Sequence, residues 1–317
     1  MAAEGTSSQI ETITEDPRFG GVPTVLLRSE DSECTVALGG ATALSWKVKG
    51  KEQFYVVPEP KFVAGKTPFR GGVPICWPAF ATKNPKAGKH GFVQQSARWK
   101  LVDRKAEPSS TQATMEMRMR CEEALGEGSY SEANGADLGP SESLVVLRSV
   151  VTLSPRTFHQ ELQVLNGSKL VLPFSGCLHT YFLLDSAEGE GFDVVALPNW
   201  TRYREPIMSE SPGLVDNKEG SGAPPLRVTG EKEIERLYSG VPFEAPIRIG
   251  KHLEFTRSST FPDVVVWNIG DSPNRPGDMP AGDVPKYVCV EPGVCDEDAV
   301  VRQVETWKGH QTLVFKG

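Results

Sequence analysis

The sequence predicts an all-β protein, a sandwich of antiparallel strands. Three observations carry that reading. Short runs rich in Val, Ile, Thr and aromatic residues recur between Gly, Asp, Pro and Lys turns along most of the chain. The run 114–120 alternates cleanly, with Met115, Met117 and Met119 on one face and Glu116, Arg118 and Arg120 on the other, as a half-buried antiparallel strand does. Sustained helical periodicity is scarce.

In chain order, the runs 24–28, 33–38, 42–48 and 53–57 read as the first strands, followed by 114–120, 143–153 and 158–165. The stretches 247–255, 263–269, 287–291 and 311–315 close the series. No repeat or linker divides the 317 residues, so residues 1–317 are expected to form one domain. Three interruptions read as loop insertions. Residues 122–142 hold six acids and no Lys or Arg and read as a solvated hairpin insertion. Residues 209–225 and 270–285 are rich in Gly, Pro, Ser and Asp, and long loops on a β scaffold are where binding residues gather.

Charge and cysteine usage narrow the function classes. A formal net charge of -7 argues against nucleic-acid or anionic-membrane partners, and no apolar run approaches the ~20 residues that span a bilayer. The first eight residues carry neither a basic start nor an apolar stretch, so a cytoplasmic location is expected. The six cysteines, at 34, 76, 121, 177, 289 and 295, form no CxxC pair and read as buried reduced thiols.

Three stretches carry candidate chemistry. In 287–293 (YVCVEPG), Tyr287, Cys289 and Glu291 share one strand face and Val288 and Val290 the other. A carboxylate on an apolar strand is costly unless something bonds it or chemistry needs it. Pro292 and Gly293 are expected to end that strand. In 172–184, His179 interrupts an apolar strand with Cys177 and Tyr181 on its face; a satisfied core histidine and a catalytic one both fit. An imidazole with ordinary pKa ~6.5 and a carboxylate near ~4.3 together suit acid–base work at neutral pH. In 68–92, Arg70 precedes two glycines, a cationic fork beside backbone that comes close to something else. Trp77 and Phe80 offer flat faces for a sugar, and His90 precedes Gly91. A metal site of His90, His179 and Glu291 lacks the short ligand spacing such sites often show.

The order RGGVPICWPAF and HGF, then LHTYF, VWN and VCVEPG, resembles the glucose-6-phosphate 1-epimerase (hexose-6-phosphate mutarotase) family, the phosphosugar branch of the aldose 1-epimerases. The likeness runs from 39–48 (GGATALSWKV) to 307–315 (WKGHQTLVF). It implies a large antiparallel β-supersandwich of the galactose mutarotase type, acting without metal or organic cofactor, as a monomer, on a small sugar phosphate. By the same resemblance Glu291 is the general base and His179 the general acid that open and reclose the sugar ring. Arg70 and His90 match substrate contacts, and Asp216, with Glu205 as rival, matches the acid that holds sugar hydroxyls. Gln94 stands where the family carries a phosphate-binding arginine. Lys89, or Arg98 turned inward by an added residue before Trp99, is then the candidate to restore the missing charge. Mutarotation of unphosphorylated or modified aldoses, and sugar binding without catalysis, are the alternatives this departure leaves open.

Overall fold

A computed structural model of the chain describes residues 8–127, 144–184, 192–195, 203–207, 226–244 and 246–317. Strands dominate them, and every strand pair is antiparallel. The chain opens with β1 (Gln9–Asp16), β2 (Val22–Ser29), β3 (Ser32–Ala37), β4 (Ala43–Val48) and β5 (Lys51–Glu52), a five-stranded meander. It continues through β6 (Ile75–Cys76), β7 (Lys100–Glu107), β8 (Ser110–Arg120), β9 (Leu144–Ser154) and β10 (Thr157–Asn166). Next come β11 (Leu172–Leu178), β12 (Tyr181–Leu183), β13 (Phe192–Val195), β14 (Tyr203–Arg204), β15 (Leu226–Val228) and β16 (Ile234–Tyr238). The last are β17 (Ile247–Ile249), β18 (Leu253–Arg257), β19 (Asp263–Asn268), β20 (Tyr287–Val301) and β21 (Thr306–Phe315).

Two large sheets face each other. One has nine strands in the order β15-β13-β17-β18-β21-β10-β9-β8-β7; the other has seven, β14-β16-β19-β20-β11-β6 with β12 also paired to β20. Between them lies the main core. The nine-stranded sheet contributes Met115, Met117, Met119, Leu147, Val151 and Phe158, and the seven-stranded sheet contributes Val264, Val266, Val288 and Val290. The methionine face predicted from alternation is therefore the core face of β8. On its other face Glu116 is also buried, because Arg118 and Arg148 straddle it at 2.7 and 2.8 Å.

Four expectations need correction. The 247–255 run is two strands, β17 and β18, folded into a hairpin at 250–252. The 53–57 run forms only single bridges, Phe54 to Phe182 and Val56 to Gly71. The acidic insertion begins with a short helix, α1 (Cys121–Leu125), whose Glu123 is buried rather than solvated; residues 128–143 lie outside the described residues. Finally, β20 does not stop at Pro292 and Gly293 but runs on to Val301.

The reason Pro292 is tolerated inside β20 also places the candidate site. Tyr181 pairs with Cys289 and Cys177 with Gly293, one continuous register that sets Leu178 opposite Pro292 and His179 opposite Glu291. In that ladder the N–H groups of Val290 and residue 292 point the same way; Val290 donates to Thr180 O, and Pro292 has no proton to donate. The Leu178 carbonyl that would have received it accepts from Thr180 N–H instead, at 2.9 Å, in a tight turn centred on His179. His179 N–H bonds the Pro74 carbonyl at 2.9 Å, and the Thr180 hydroxyl donates to Gln311 Oε1 at 2.9 Å across the sandwich. Gly293 is required for closeness, not for a turn: a Cβ there would sit 2.6 Å from Cys295 Sγ and 2.7 Å from Cys177 Cβ.

Candidate active site

On β20 the valines at 288 and 290 enter the sandwich, so Tyr287, Cys289 and Glu291 face the other side of the seven-stranded sheet. A cleft of about 530 Å³ opens over that side. The sheet beneath it is built in cross-strand rows: Leu237, Val265 and Glu291 in one, and Glu235, Trp267, Cys289 and Tyr181 in the next. Leu237 and Cys289 are buried under the floor that the others form. His179 stands beside both rows and lines the cleft with Glu291. Its Nδ1 lies 3.4 Å from Glu291 Oε1 and, buried, makes no hydrogen bond. The imidazole stacks on Tyr181, with centroids 4.8 Å apart and planes 9° apart, and meets His90 and Trp267 edge-on.

Burial dominates the electrostatics of this pair. Glu291 is 1% exposed, and desolvation pushes its carboxyl well above the usual carboxylate range against a single lowering contact, the Cys177 thiol at 3.3 Å. Desolvation holds the His179 imidazole well below its ordinary value, and the nearby His90 adds to that. Both residues are thus driven toward their neutral forms. A carboxylate formed here is a stronger base than one in water, and an imidazolium formed here a stronger acid.

The 68–92 stretch forms the rim. Gly71 and Gly72 carry φ of 111° and 67°; a Cβ would approach Tyr55 O to 2.3 Å and Ala43 O to 2.2 Å, so only glycine lets this segment lie against its neighbours. Arg70 is thereby carried to the cleft, where its Nε donates to Asp278 Oδ1 at 2.6 Å. His90, itself at φ 61°, accepts from Ala81 N–H through Nδ1 at 3.3 Å. In its neutral form it then carries its proton on Nε2. Lys89 and Gln94 also line the cleft.

Arg98 does not reach the cleft, which corrects its place among the candidate substrate contacts. It is buried against Glu123, with Nη1 to Oε1 at 3.1 Å, and donates to the Arg118 carbonyl at 2.6 Å. The acid of α1 thus takes the guanidinium. Glu205, the rival hydroxyl-holding acid, is exposed, paired with Arg236 at 3.0 Å and not among the residues that line the cleft. Asp216 lies outside the described residues. Trp77 is also corrected: it points with Ile75 into the main core, leaving Phe80 in the lining.

Several lining residues escaped the sequence reading: Trp267, Glu233, Glu235, Gln95 and Asn274. The signal for Trp267 was present in the alternation of β19, since Val264 and Val266 are core. For Glu235 it was weaker, because β16 is five residues long. Burial and the neighbouring Glu233 raise the Glu235 carboxyl, and Lys89 opposes that rise. His179, Cys289 and Glu291 also place potential ligand atoms within 4.8 Å of one another. Burial holds the Cys289 thiol well above its ordinary value, so a cation there would have to displace its proton.

The aldose 1-epimerase family profile matches residues 23–313. The chain belongs to the aldose 1-epimerase family. Like the family, it is an isomerase of the mutarotase kind. A protein of Cenchrus ciliaris provisionally named glucose-6-phosphate 1-epimerase is 22% identical over 312 residues, covering 92% of this chain and 84% of that protein. A second so named, from Salmonella typhimurium, is 33% identical over 93 residues, 27% of this chain and 29% of its own length. Among solved structures, a provisionally named mutarotase from Salmonella typhimurium superposes with a TM-score of 0.73 at 19% identity, covering 100% of this chain and 96% of the other. A galactose 1-epimerase from Lactobacillus acidophilus superposes with a TM-score of 0.62 at 12% identity, covering 98% and 99%. These likenesses establish the galactose mutarotase-type β-sandwich. No helix among the described residues is long and apolar enough to cross a membrane.

Proposed function

We propose that this aldose 1-epimerase interconverts the α and β anomers of hexose 6-phosphates, with Glu291 and His179 exchanging protons with the sugar. The observation that carries the reading is the opposed pair itself, 3.4 Å apart on the floor of the cleft, with Arg70 and Lys89 at the rim above it. In one direction Glu291 takes the proton of the C1 hydroxyl while His179 protonates the ring oxygen. The open aldehyde rotates about C1–C2, and reclosure returns both protons with roles exchanged. Such a cycle needs one proton shared by the pair, and their close approach lets either member carry it. Both directions are therefore served by the same two groups, and the protein atoms suffice for the two transfers.

Around that pair, Trp267 and Phe80 supply flat walls and His90 Nε2 a donor. Glu235 offers an acceptor for sugar hydroxyls in the role first assigned to Asp216 or Glu205. Arg70 and Lys89 are the cations offered to a phosphate.

A second reading, mutarotation of unphosphorylated aldoses, is favoured by the neutral Gln94 and by the capture of Arg98 by Glu123. Timing anomer exchange of freshly dissolved α-glucose 6-phosphate and of α-glucose with and without the protein separates them. The first reading expects acceleration of the phosphorylated sugar above all; acceleration of glucose alone would replace it with the second.

A further inference from the structure

Arg70 lines the cleft as a cation that could meet an anionic group, yet it already has a carboxylate. Its Nε donates to Asp278 Oδ1 at 2.6 Å, and the two side chains are 27% and 29% exposed, so the pair sits at the mouth where a solute can reach it. Asp278 is not on a loosely attached loop. Met279, next to it, is fully buried in a cluster with Tyr55, Ile269, Val284, Tyr287 and Cys289. The Met279 N–H bonds the Pro276 carbonyl at 3.0 Å, and its own carbonyl accepts from Arg275 Nη1. Asn274 and Pro276 of the same loop line the cleft. The backbone that presents the carboxylate to the guanidinium is thus held by a buried anchor one residue away.

Two further acids, Glu233 and Glu235, stand in the lining, and Glu235 feels the charge of Lys89. With Asp278 in place the rim offers an incoming anion little uncompensated positive charge. We infer that Asp278 is a specificity-determining residue, an internal carboxylate that competes with the substrate's anionic group for Arg70 and sets how strongly the cleft selects anionic over neutral sugars. This rests on reading the cleft as the sugar site. A phosphate dianion carries more charge than a carboxylate and bonds a guanidinium fork through two oxygens. It displaces Asp278 from Nε and leaves that carboxylate to water, whereas a neutral sugar leaves the pair closed.

The test compares wild type with Asp278→Asn by calorimetric titration of inorganic phosphate, glucose 6-phosphate and glucose. The amide removes the competing charge and keeps the shape, so binding of phosphate and of glucose 6-phosphate tightens about 3- to 10-fold, an effect that shrinks with added salt, while glucose binding is unchanged. Asp278→Glu, which keeps the charge, holds wild-type affinity. In the Arg70→Gln background the Asp278 change has no effect on phosphate. Unchanged or weaker phosphate binding by Asp278→Asn overturns the inference, since a carboxylate that merely positions Arg70 gives that result. So does an equal change for glucose. Because phosphate binding is read without turnover, this outcome is separate from whether the wild type accelerates anomer exchange of glucose 6-phosphate.

Discussion

The Cys177 thiol lies 3.3 Å from Glu291 Oε2 and donates the hydrogen bond that carboxyl receives from a side chain. The contact follows from the register: Cys177 pairs with Gly293, two residues along β20 from Glu291 on the same face, and the missing Cβ at Gly293 lets the thiol close in. A thiol is a weak donor, so Glu291 keeps most of its desolvation shift.

Changing that donor should move the pH dependence of catalysis in a predictable order. Cys177→Ser supplies a stronger donor to the ionised carboxyl and shifts the optimum to lower pH; Cys177→Ala removes the donor and shifts it to higher pH. A net hydrogen bond of ~1 kcal/mol corresponds to ~0.7 pH unit. The profile of kcat/KM for the three proteins, with the substrate's own ionisation accounted for, checks the order. A merely structural Cys177 would lower the rate without moving the optimum.

Glu291→Gln is expected to separate function from stability. Loss of the titrating group should cost at least ~100-fold in anomer exchange. Stability should go the other way, because burial raises the folded carboxyl above its unfolded value near ~4.3. Such a group favours the folded state most below the unfolded value, and that favour is lost as pH rises through the folded one. Glutamine does not titrate. Thermal unfolding should therefore show the two proteins alike near pH 4, with the variant increasingly the more stable toward pH 8.

What the sequence made legible was local. Period-two alternation put Tyr287, Cys289 and Glu291 on one face of their strand, and the core confirms that placement of faces through Val288 and Val290. The glycines after Arg70 were read as a close approach, and they make one. That His179 meets Glu291 was implied by the family resemblance alone and could not be read from the residues, because it is fixed by a register between segments over a hundred residues apart. Pro292 was misread for a related reason: a proline ends a strand when its missing N–H leaves an acceptor unmet, and here the turn at His179 had already claimed that acceptor. Trp77 was offered as a flat face for a sugar but lies in the main core, while Trp267, to which no role was given, lines the cleft; composition marks both as flat apolar rings without saying which face is core. Arg98 was lost to Glu123, a partner inside a stretch that composition alone described as solvated.

That last pair gives a stability prediction free of the site. Arg98 and Glu123 have side chains 4% and 5% exposed, so Arg98→Met strands a buried carboxylate. The expected loss is ~3–5 kcal/mol, read by denaturant unfolding, with KM for the sugar unchanged in the protein that remains folded. Adding Glu123→Met should recover most of the loss, because the cost lies in the unpaired charge and not in the missing contact. If Arg98 instead served the substrate, the double variant would regain stability but show a raised KM.

Trp267 distinguishes a sugar wall from a support for the imidazole. Its ring lines the cleft and meets His179 edge-on at 6.0 Å and 82°, so either role fits the contact. The stacking of His179 on Tyr181 at 4.8 Å and the His179 N–H bond to Pro74 O already hold the histidine from two other sides. The indole is thus spare as a support and available as a wall. Trp267→Ala should then raise KM ~5- to 10-fold, the scale of a lost aromatic contact, with kcat changed less than ~3-fold. Tyr181→Ala should do the reverse, lowering kcat with KM little altered, because it frees the imidazole to turn away from Glu291. Steady-state kinetics of both variants on one substrate reads the contrast directly; a matching fall of kcat in both would assign Trp267 to the histidine rather than to the sugar.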